Sequence, residues 1–445
     1  MERHRPDFSE SVTLLTGFLY LGIVTQYYYI AFFLRIVGGA VLLCAVRAPL
    51  EAHMPEISAK SRSFGESVIR RMTRVAIKHG AINLSQGFPD FDPPKALLEA
   101  AAHSAAKGPH QYAVTWGAQN FREALAAMQS RFMGIPISAN DHIAVTCGAT
   151  EAMMAAVMTA VDPGDKVIVF SPFYENYLAD ALLSGAEAVC VHLRREAGSD
   201  DFTFDPEELG AAFAAGAKAL ILCNPANPTG KVFSRAELET IAALAERHDA
   251  FVITDEVYDH IVYAPYVHTY FASLPGMFER TISCGSLSKT YSITGWRLGY
   301  TIAPAHVTDG IRKIHDFLTV GAAAPLQEAA VTALGFGDDY YRDLTALYAS
   351  KRDIFLSYLD KAGLSYVKPQ GAYYVLVNIE EFGAKSDTAF CEWMAAHAGV
   401  AAVPGSSFYK DFEDRYIRFH FAKKDETLHA AGQKLLGLKA LWAAK

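Results

Sequence analysis

At 445 residues, with 51% hydrophobic and 20% charged side chains, the chain is long enough for two packed lobes and far too apolar for a disordered one. A net charge of -8 without any Lys/Arg cluster argues against a nucleic-acid partner, which needs a localised basic patch, and leaves small anionic ligands open. The six cysteines include no Cys-x-x-Cys pair and the fifteen histidines no His-Glu-x-x-His pattern, so a reducing compartment and no metal site are expected.

In chain order, the first feature is a charge-free run from Ser11 to Leu34. Residues 12–34 are long enough to cross a bilayer as a helix, which takes about 20 residues. A second apolar run, 36–46, follows Arg35. Gln26 and the tyrosines at 27, 28 and 29 dilute the apolar character, the Lys/Arg asymmetry is weak, and no small-x-small cleavage site clearly follows. Two expectations stand side by side: a membrane tether confined to residues 12–46 on a cytoplasmic catalytic body, or an upstream extension whose natural start is Met54.

From about residue 102 to 304, apolar runs at 143–146, 166–170, 188–193, 219–223, 251–254, 281–285 and 298–303 alternate with helical stretches such as 150–161, 206–214 and 234–248. The last opens with Ser234-Arg-Ala-Glu237, a capping box. Such alternation predicts a parallel sheet covered by helices on both faces, with ligands at the carboxyl ends of the strands. Beyond about residue 316, helices over 325–334 and 340–362 and strands over 373–377 and 416–422 predict a smaller α+β lobe, joined by residues 54–100 with a helix over 63–79. The expected organisation is an extension (1–53), an arm with part of the small domain (54–100), a large domain (101–320) and a small domain (321–445).

Chemistry is expected at the strand ends. Cys147-Gly148-Ala149-Thr150 reads as a glycine turn opening a helix, whose N–H groups make an anion site, although an ordinary capped helix reads the same. Phe173 and Tyr174 follow a strand, where an aromatic can lie on a heteroaromatic ring or simply fill the core. The two Asn-Pro pairs of Asn224-Pro-Ala-Asn227-Pro-Thr-Gly230 make a rigid turn that can aim an amide. Asp255 and Glu256 end an apolar strand, where an acid needs a cation, a salt bridge or a helix to cap; Tyr258 can donate to a nearby oxygen. Lys289, in Ser286-Leu-Ser-Lys289, precedes Gly295-Trp-Arg297 and suits an amine that bonds an aldehyde while its neighbours hold a phosphate. Arg418 alternates with apolar residues, and its planar fork suits a carboxylate.

Asn224-Pro-x-Asn227-Pro-Thr-Gly, Asp255-Glu-x-Tyr258, Ser286-x-Ser-Lys289 with Gly-Trp-Arg297, Pro369-Gln-Gly371-Ala-Tyr-Tyr and the Arg418 strand together resemble the class I/II aminotransferases of pyridoxal phosphate (PLP) fold type I. The likeness runs from about residue 63 to the C-terminus. It implies an α/β fold, a large domain with a mostly parallel, helix-covered sheet plus a smaller α+β domain. The implied activity is ping-pong transfer of an amino group from an L-amino acid to a 2-oxo acid by a homodimer with shared sites. By this resemblance Lys289 is the Schiff-base lysine and proton carrier, Asp255 the partner of the pyridine nitrogen, and Asn227 and Tyr258 the partners of the ring's phenolic oxygen. Gly148, Ala149, Thr150, Ser286 and Arg297 meet the phosphate, Tyr174 stacks on the ring, and Tyr112 reaches the partner subunit's phosphate. Arg418 and Gly87, with Asn227 and His268 beside them, hold the substrate.

Leu84-Ser-Gln-Gly-Phe-Pro-Asp-Phe-Asp, His110-Gln-Tyr-Ala and His268-Thr-Tyr-Phe-Ala-Ser-Leu-Pro-Gly-Met are most similar to the group of kynurenine, glutamine and methionine aminotransferases and cysteine-S-conjugate β-lyases. Aspartate aminotransferase is the neighbouring alternative, but no second arginine stands out for a side-chain carboxylate. A β-lyase would use the same residues. A non-catalytic PLP-sensing domain is the alternative of another class, and nothing in residues 1–61 resembles the basic DNA-binding module it would carry.

Overall fold

The computed structural model describes residues 55–63, 65–195, 198–411, 413 and 415–445, with the backbone of four strands before them. It divides into two compact units, Met1–Ser63 and Phe64–Lys445. In the first, β1 (Val12–Leu15), β2 (Phe18–Val24), β3 (Tyr28–Val37) and β4 (Ala40–Pro49) pair antiparallel in chain order. The helix expected over 12–34 is therefore corrected to strands. The physical reason is composition: the segment is dominated by β-branched and aromatic residues, which lose rotamer freedom in a helix and suit a pleated surface. No described helix is long and apolar enough to cross a membrane. Met54, the alternative start, lies outside the described residues.

The second unit is built on an eight-stranded sheet. After β5 (Ile82–Asn83) come β6 (Ile143–Thr146), β7 (Lys166–Ser171), β8 (Glu187–Arg195), β9 (Phe202–Phe204), β10 (Ala217–Cys223), β11 (Phe251–Asp255), β12 (Thr281–Ser286) and β13 (Gly299–Ile302). Their order is β6-β13-β12-β11-β10-β7-β8-β9. The β12, β11, β10, β7 and β8 core is parallel, whereas β13 runs antiparallel to both neighbours and β9 to β8. The central strands are apolar on both faces because helices cover both. Ile221, Ile253 and Ile282 pack with Ala152 and Val157 of helix Ala149–Ala160, while Leu220 and Val252 pack with Leu238 and Ile241 of helix Arg235–Arg247. The latter helix carries the capping box expected from its sequence.

Register aligns the strand ends. Cys223 lies opposite Asp255, and Asp255 opposite Cys284, so three carboxyl ends open at one place. Gly299 pairs with Ser286 on one side and Thr146 on the other, which brings the Lys289 loop beside the start of helix Ala149–Ala160. A side chain at Gly299 would lie 2.3 Å from the Gly148 carbonyl carbon, so only glycine permits that approach.

A second sheet, ordered β14-β15-β18-β17, comprises β14 (Tyr366–Val367), β15 (Tyr374–Asn378), β17 (Val403–Pro404) and β18 (Tyr416–His420). Arg418 sits at its centre, paired with Leu376 and Val403. Helices Asp338–Lys361, Asp387–His397 and Asp425–Leu435 supply Phe355, Phe390 and Leu428 to its core. Parallel pairing of β5 with β16 (Val400–Ala401) ties residues 82–83 to the C-terminal part of the chain. The helix expected over 63–79 begins only at Val68, because Ser67 caps it through its side chain.

Candidate active site

A cavity of about 850 Å³ opens where β10, β11 and β12 end. Lys289 enters it from the loop after β12, half-buried, its Nζ donating to the Gly87 carbonyl at 3.3 Å. The ammonium sits 6.0 Å from the centre of the Tyr258 ring and 5.8 Å from that of Tyr373. Loss of hydration pushes its pKa down to about 8; Arg297 and Arg418 act in the same direction, and Asp255 opposes them. A substantial fraction of this amine is therefore neutral at a pH where an exposed lysine is fully charged.

Asp255, the last residue of β11, is buried. Its Oδ2 accepts from the Tyr177 hydroxyl at 2.7 Å and its Oδ1 from the Val257 N–H at 3.4 Å. Burial pushes the carboxyl above its ordinary range, against the pull of Tyr177, the Val257 N–H and Lys289. Such an acid is stabilised by a cation brought to it. Beside it, the Tyr258 and Tyr374 hydroxyls lie 2.8 Å apart. The rigid turn after β10 is clamped by the Phe233 N–H, which donates to Asn224 Oδ1 at 3.1 Å, and it presents Asn227 to the cavity.

The opposite end of the cavity is a polar cradle. Gly148 takes φ +84° ahead of helix Ala149–Ala160, and a Cβ there would fall 2.4 Å from Arg297 Nη2. Arg297 donates to the carbonyls of Thr294 at 3.0 Å and Cys147 at 3.4 Å. Ala149, Thr150 and Ser286 line the same end, and Tyr174 forms a wall edge-on to Tyr177, with ring centres 5.8 Å apart.

Arg418 is fully buried with no carboxylate paired to it among the described residues. Nη1 donates to Asn227 Oδ1 at 2.7 Å, Nη2 donates to the Ser85 carbonyl at 2.9 Å, and the guanidinium lies over the rings of Tyr374 and Phe408 at 4.2 and 4.7 Å. Its Nε is buried and has no hydrogen-bond partner among the described residues. A buried guanidinium without a carboxylate, in the wall of a cavity, suits an anion.

Two predicted residues lie elsewhere. Tyr112 is 85% exposed and lines no part of this chain's cavity. His268, expected at the substrate, is enclosed beside Asn224 Nδ2 at 3.5 Å and Glu256 Oε1 at 3.8 Å, and it does not line the cavity. Burial drives its pKa down to about 4, so the ring is neutral. Among the lining residues that the sequence reading did not single out, four bear on the chemistry. Tyr374 ends the Pro369-Gln-Gly371-Ala-Tyr-Tyr segment and Tyr177 stands three residues beyond Tyr174, and only their hydroxyl contacts reveal them. Asp180 is a buried acid, one helical turn beyond Tyr177, whose Oδ2 lacks a hydrogen-bond partner among the described residues. Arg70, on helix Val68–His79, lines the cavity without an acid among the described residues, whereas Arg71 and Arg74 on the same helix pair with Glu392 and Glu66; nothing local in the sequence separates the three.

The site fits pyridoxal phosphate: an amine of lowered pKa, a buried acid for the ring nitrogen, and a cradle at a helix N-terminus into which any side chain at position 148 would intrude. Fold and site together define a PLP-dependent enzyme of fold type I. Residues 79–435 match the family described as aminotransferase class I and II. The methionine aminotransferase of Escherichia coli K12 is 38% identical over 85% of this chain and 97% of its own. The kynurenine–oxoglutarate transaminase of Dictyostelium discoideum is 36% identical over 86% and 96%. The solved structure of N-succinyldiaminopimelate aminotransferase from Mycobacterium tuberculosis superposes with a TM-score of 0.83 at 35% identity, covering 86% of this chain and 100% of that one. The chain belongs to the class I and II aminotransferases, and pyridoxal phosphate is its cofactor.

Proposed function

We propose that the enzyme moves the amino group of an aromatic, methionine-like or glutamine-like L-amino acid to a 2-oxo acid, within a homodimer whose subunits share sites. The names of the methionine and kynurenine–oxoglutarate relatives support the donor class. Phe88, Tyr174 and Leu318 in the cavity wall support it physically, since they favour an apolar side chain. Exposed Tyr112 and Phe317 support the dimer, in which Tyr112 reaches the neighbouring site. The division into an arm to about residue 100, a large domain to about 320 and a small domain beyond belongs to the same reading, as does a cytoplasmic catalytic body.

Bound PLP supplies a protonated pyridine ring into which the electron pair left at the substrate Cα spreads. Lys289 Nζ would hold the cofactor's aldehyde carbon at rest and, once the substrate amine has taken its place there, would be free to carry the Cα proton; its lowered pKa suits both tasks. Asp255, steadied by Tyr177, keeps the ring nitrogen protonated. Asn227 and Tyr258 hold the phenolic oxygen, Tyr174 covers the ring, and the turn 147–150 with Ser286 and Arg297 holds the phosphate. Arg418 binds the α-carboxylate, with Gly87 bordering it. Arg70 at the mouth receives the distal carboxylate of a dicarboxylic 2-oxo acid.

The observation that carries this reading is the meeting of Lys289, Asp255 and the buried Arg418 guanidinium in one cavity. The test is Lys289→Ala assayed alongside the unaltered enzyme, which is screened by loss of the lysine-bound cofactor's visible absorption with each amino acid. Turnover in the variant at the unaltered rate would sink the assignment.

A further inference from the structure

Helices Ala149–Ala160 and Ala305–Thr319 meet through a buried acid and a buried histidine that the roles above leave unused. His315 is fully enclosed, and both of its ring nitrogens face acceptors. Nδ1 lies 2.7 Å from Glu151 Oε1, and Nε2 lies 2.8 Å from the Thr115 carbonyl oxygen. A neutral imidazole has one N–H and serves only one of these, so the ring is an imidazolium. Glu151 is ionised for the complementary reason: Oε1 also accepts from Thr319 Oγ1 at 2.8 Å, and Oε2 accepts from the Cys147 N–H at 2.5 Å.

Burial opposes both charges and is outweighed. It would lower the pKa of His315, but the hydrogen bond and charge of Glu151 and the Thr115 carbonyl hold it above its ordinary value. It would raise Glu151, but His315, the Cys147 N–H and Thr319 hold it below. The other titratable or charged groups near the pair are Asp316 on the histidine's own helix and the Cys147 thiol, which also feels Arg297.

The pair joins three segments. Cys147 opens the turn 147–150, Thr319 ends the second helix, and Thr115 stands three residues beyond Tyr112. We infer that the Glu151–His315 ion pair is the positioning element of the phosphate cradle, fixing the turn through the Cys147 N–H and releasing it when His315 loses its proton. The hold exists only while both groups are charged. It is lost as pH rises through the folded pKa of His315, and at the acid end as pH falls through that of Glu151. The inference rests on the reading that turn 147–150 and Arg297 hold the cofactor phosphate.

The experiment follows cofactor release from the holoenzyme after an amino donor has converted it to the pyridoxamine phosphate form, which has no covalent link to Lys289. Release is timed by gel filtration and absorbance across the pH range in which histidine titrates. The unaltered enzyme should release slowly at low and neutral pH and faster as pH rises. His315→Asn should release about tenfold faster at neutral pH, the worth of one charge-assisted hydrogen bond, with a flat profile. Glu151→Gln keeps an acceptor for the Cys147 N–H while removing the charge, and it carries the same test should His315→Asn not fold. A merely structural pair would lower thermal stability and leave the pH slope intact. Both variants releasing at the unaltered rate, or keeping its pH profile, overturns the inference. Arg297→Gln separates the two readings: if it alone speeds release, the ion-pair inference fails and the cradle stands, and if it too leaves release unchanged, the cradle reading fails and takes the inference with it.

Discussion

Replacing Arg418 with lysine probes the substrate end of the site with the charge retained. Two of the guanidinium's donors are committed, Nη1 to Asn227 Oδ1 at 2.7 Å and Nη2 to the Ser85 carbonyl at 2.9 Å, and these bonds fix the plane of the group in the cavity wall. A lysine ammonium is one point with rotatable donors; it cannot keep both tethers and also meet a planar carboxylate. The loss is one charge-assisted hydrogen bond, about 1.5–3 kcal/mol. At about 1.4 kcal/mol per decade, that is a fall in kcat/KM of about 10- to 100-fold. Lost contact with the Tyr374 and Phe408 rings, 4.2 and 4.7 Å away, should also lower thermal stability. Single-turnover half-reactions at varied amino-acid concentration should place the defect mainly in substrate affinity. A primary amine of the same side chain but without the carboxylate supplies the control, and it should react equally well with both forms. Equal loss with acid and amine would show that Arg418 only shapes the cavity, and a folded variant with undiminished kcat/KM would refute the carboxylate role outright.

Tyr177→Phe removes the 2.7 Å hydroxyl that pulls the Asp255 pKa down, so the acid should hold the ring nitrogen less well. Cofactor release should quicken about tenfold; an unchanged rate would detach Tyr177 from the site. Arg70→Gln should raise KM for a dicarboxylic 2-oxo acid by no more than about fivefold, since an exposed pair is worth at most about 1 kcal/mol. A monocarboxylic acceptor should be unaffected, and equal changes for both acceptors would remove Arg70 from specificity. Because the Lys289 pKa is lowered to about 8, the rate at which PLP loads the cofactor-free protein should climb with pH and level off above that value. A climb continuing towards 10.5 would mean an ordinary lysine.

Much of the fold was legible locally. Strand β6 lies where the apolar run predicted it, and the Ser234 capping box formed, because periodicity and end-capping depend on residues a few positions apart. The first strands went astray because an uncharged run of this length satisfies both a spanning helix and a β-meander, and hydropathy alone does not separate them. His268 stood in a motif of the right kind, but which way its ring turned depended on Asn224, Glu256 and Tyr270 packing around it.

The class of chemistry was readable in the residues themselves, because a lysine, an acid, a turn with two Asn-Pro pairs and an arginine at strand ends carry their reactivity in their side chains. Tertiary structure alone decided how those side chains are tuned. Desolvation, which lowers the Lys289 pKa and raises that of Asp255, comes from walls contributed by distant strands and helices. The same holds for which cations go unpaired. Arg70 and Arg71 are neighbours in sequence, yet only the packing of helix Val68–His79 gives one an acid and leaves the other facing the cavity. His315 and Glu151 are separated by more than half of the large sheet's strands in sequence, and their charges exist because the fold brings them to 2.7 Å.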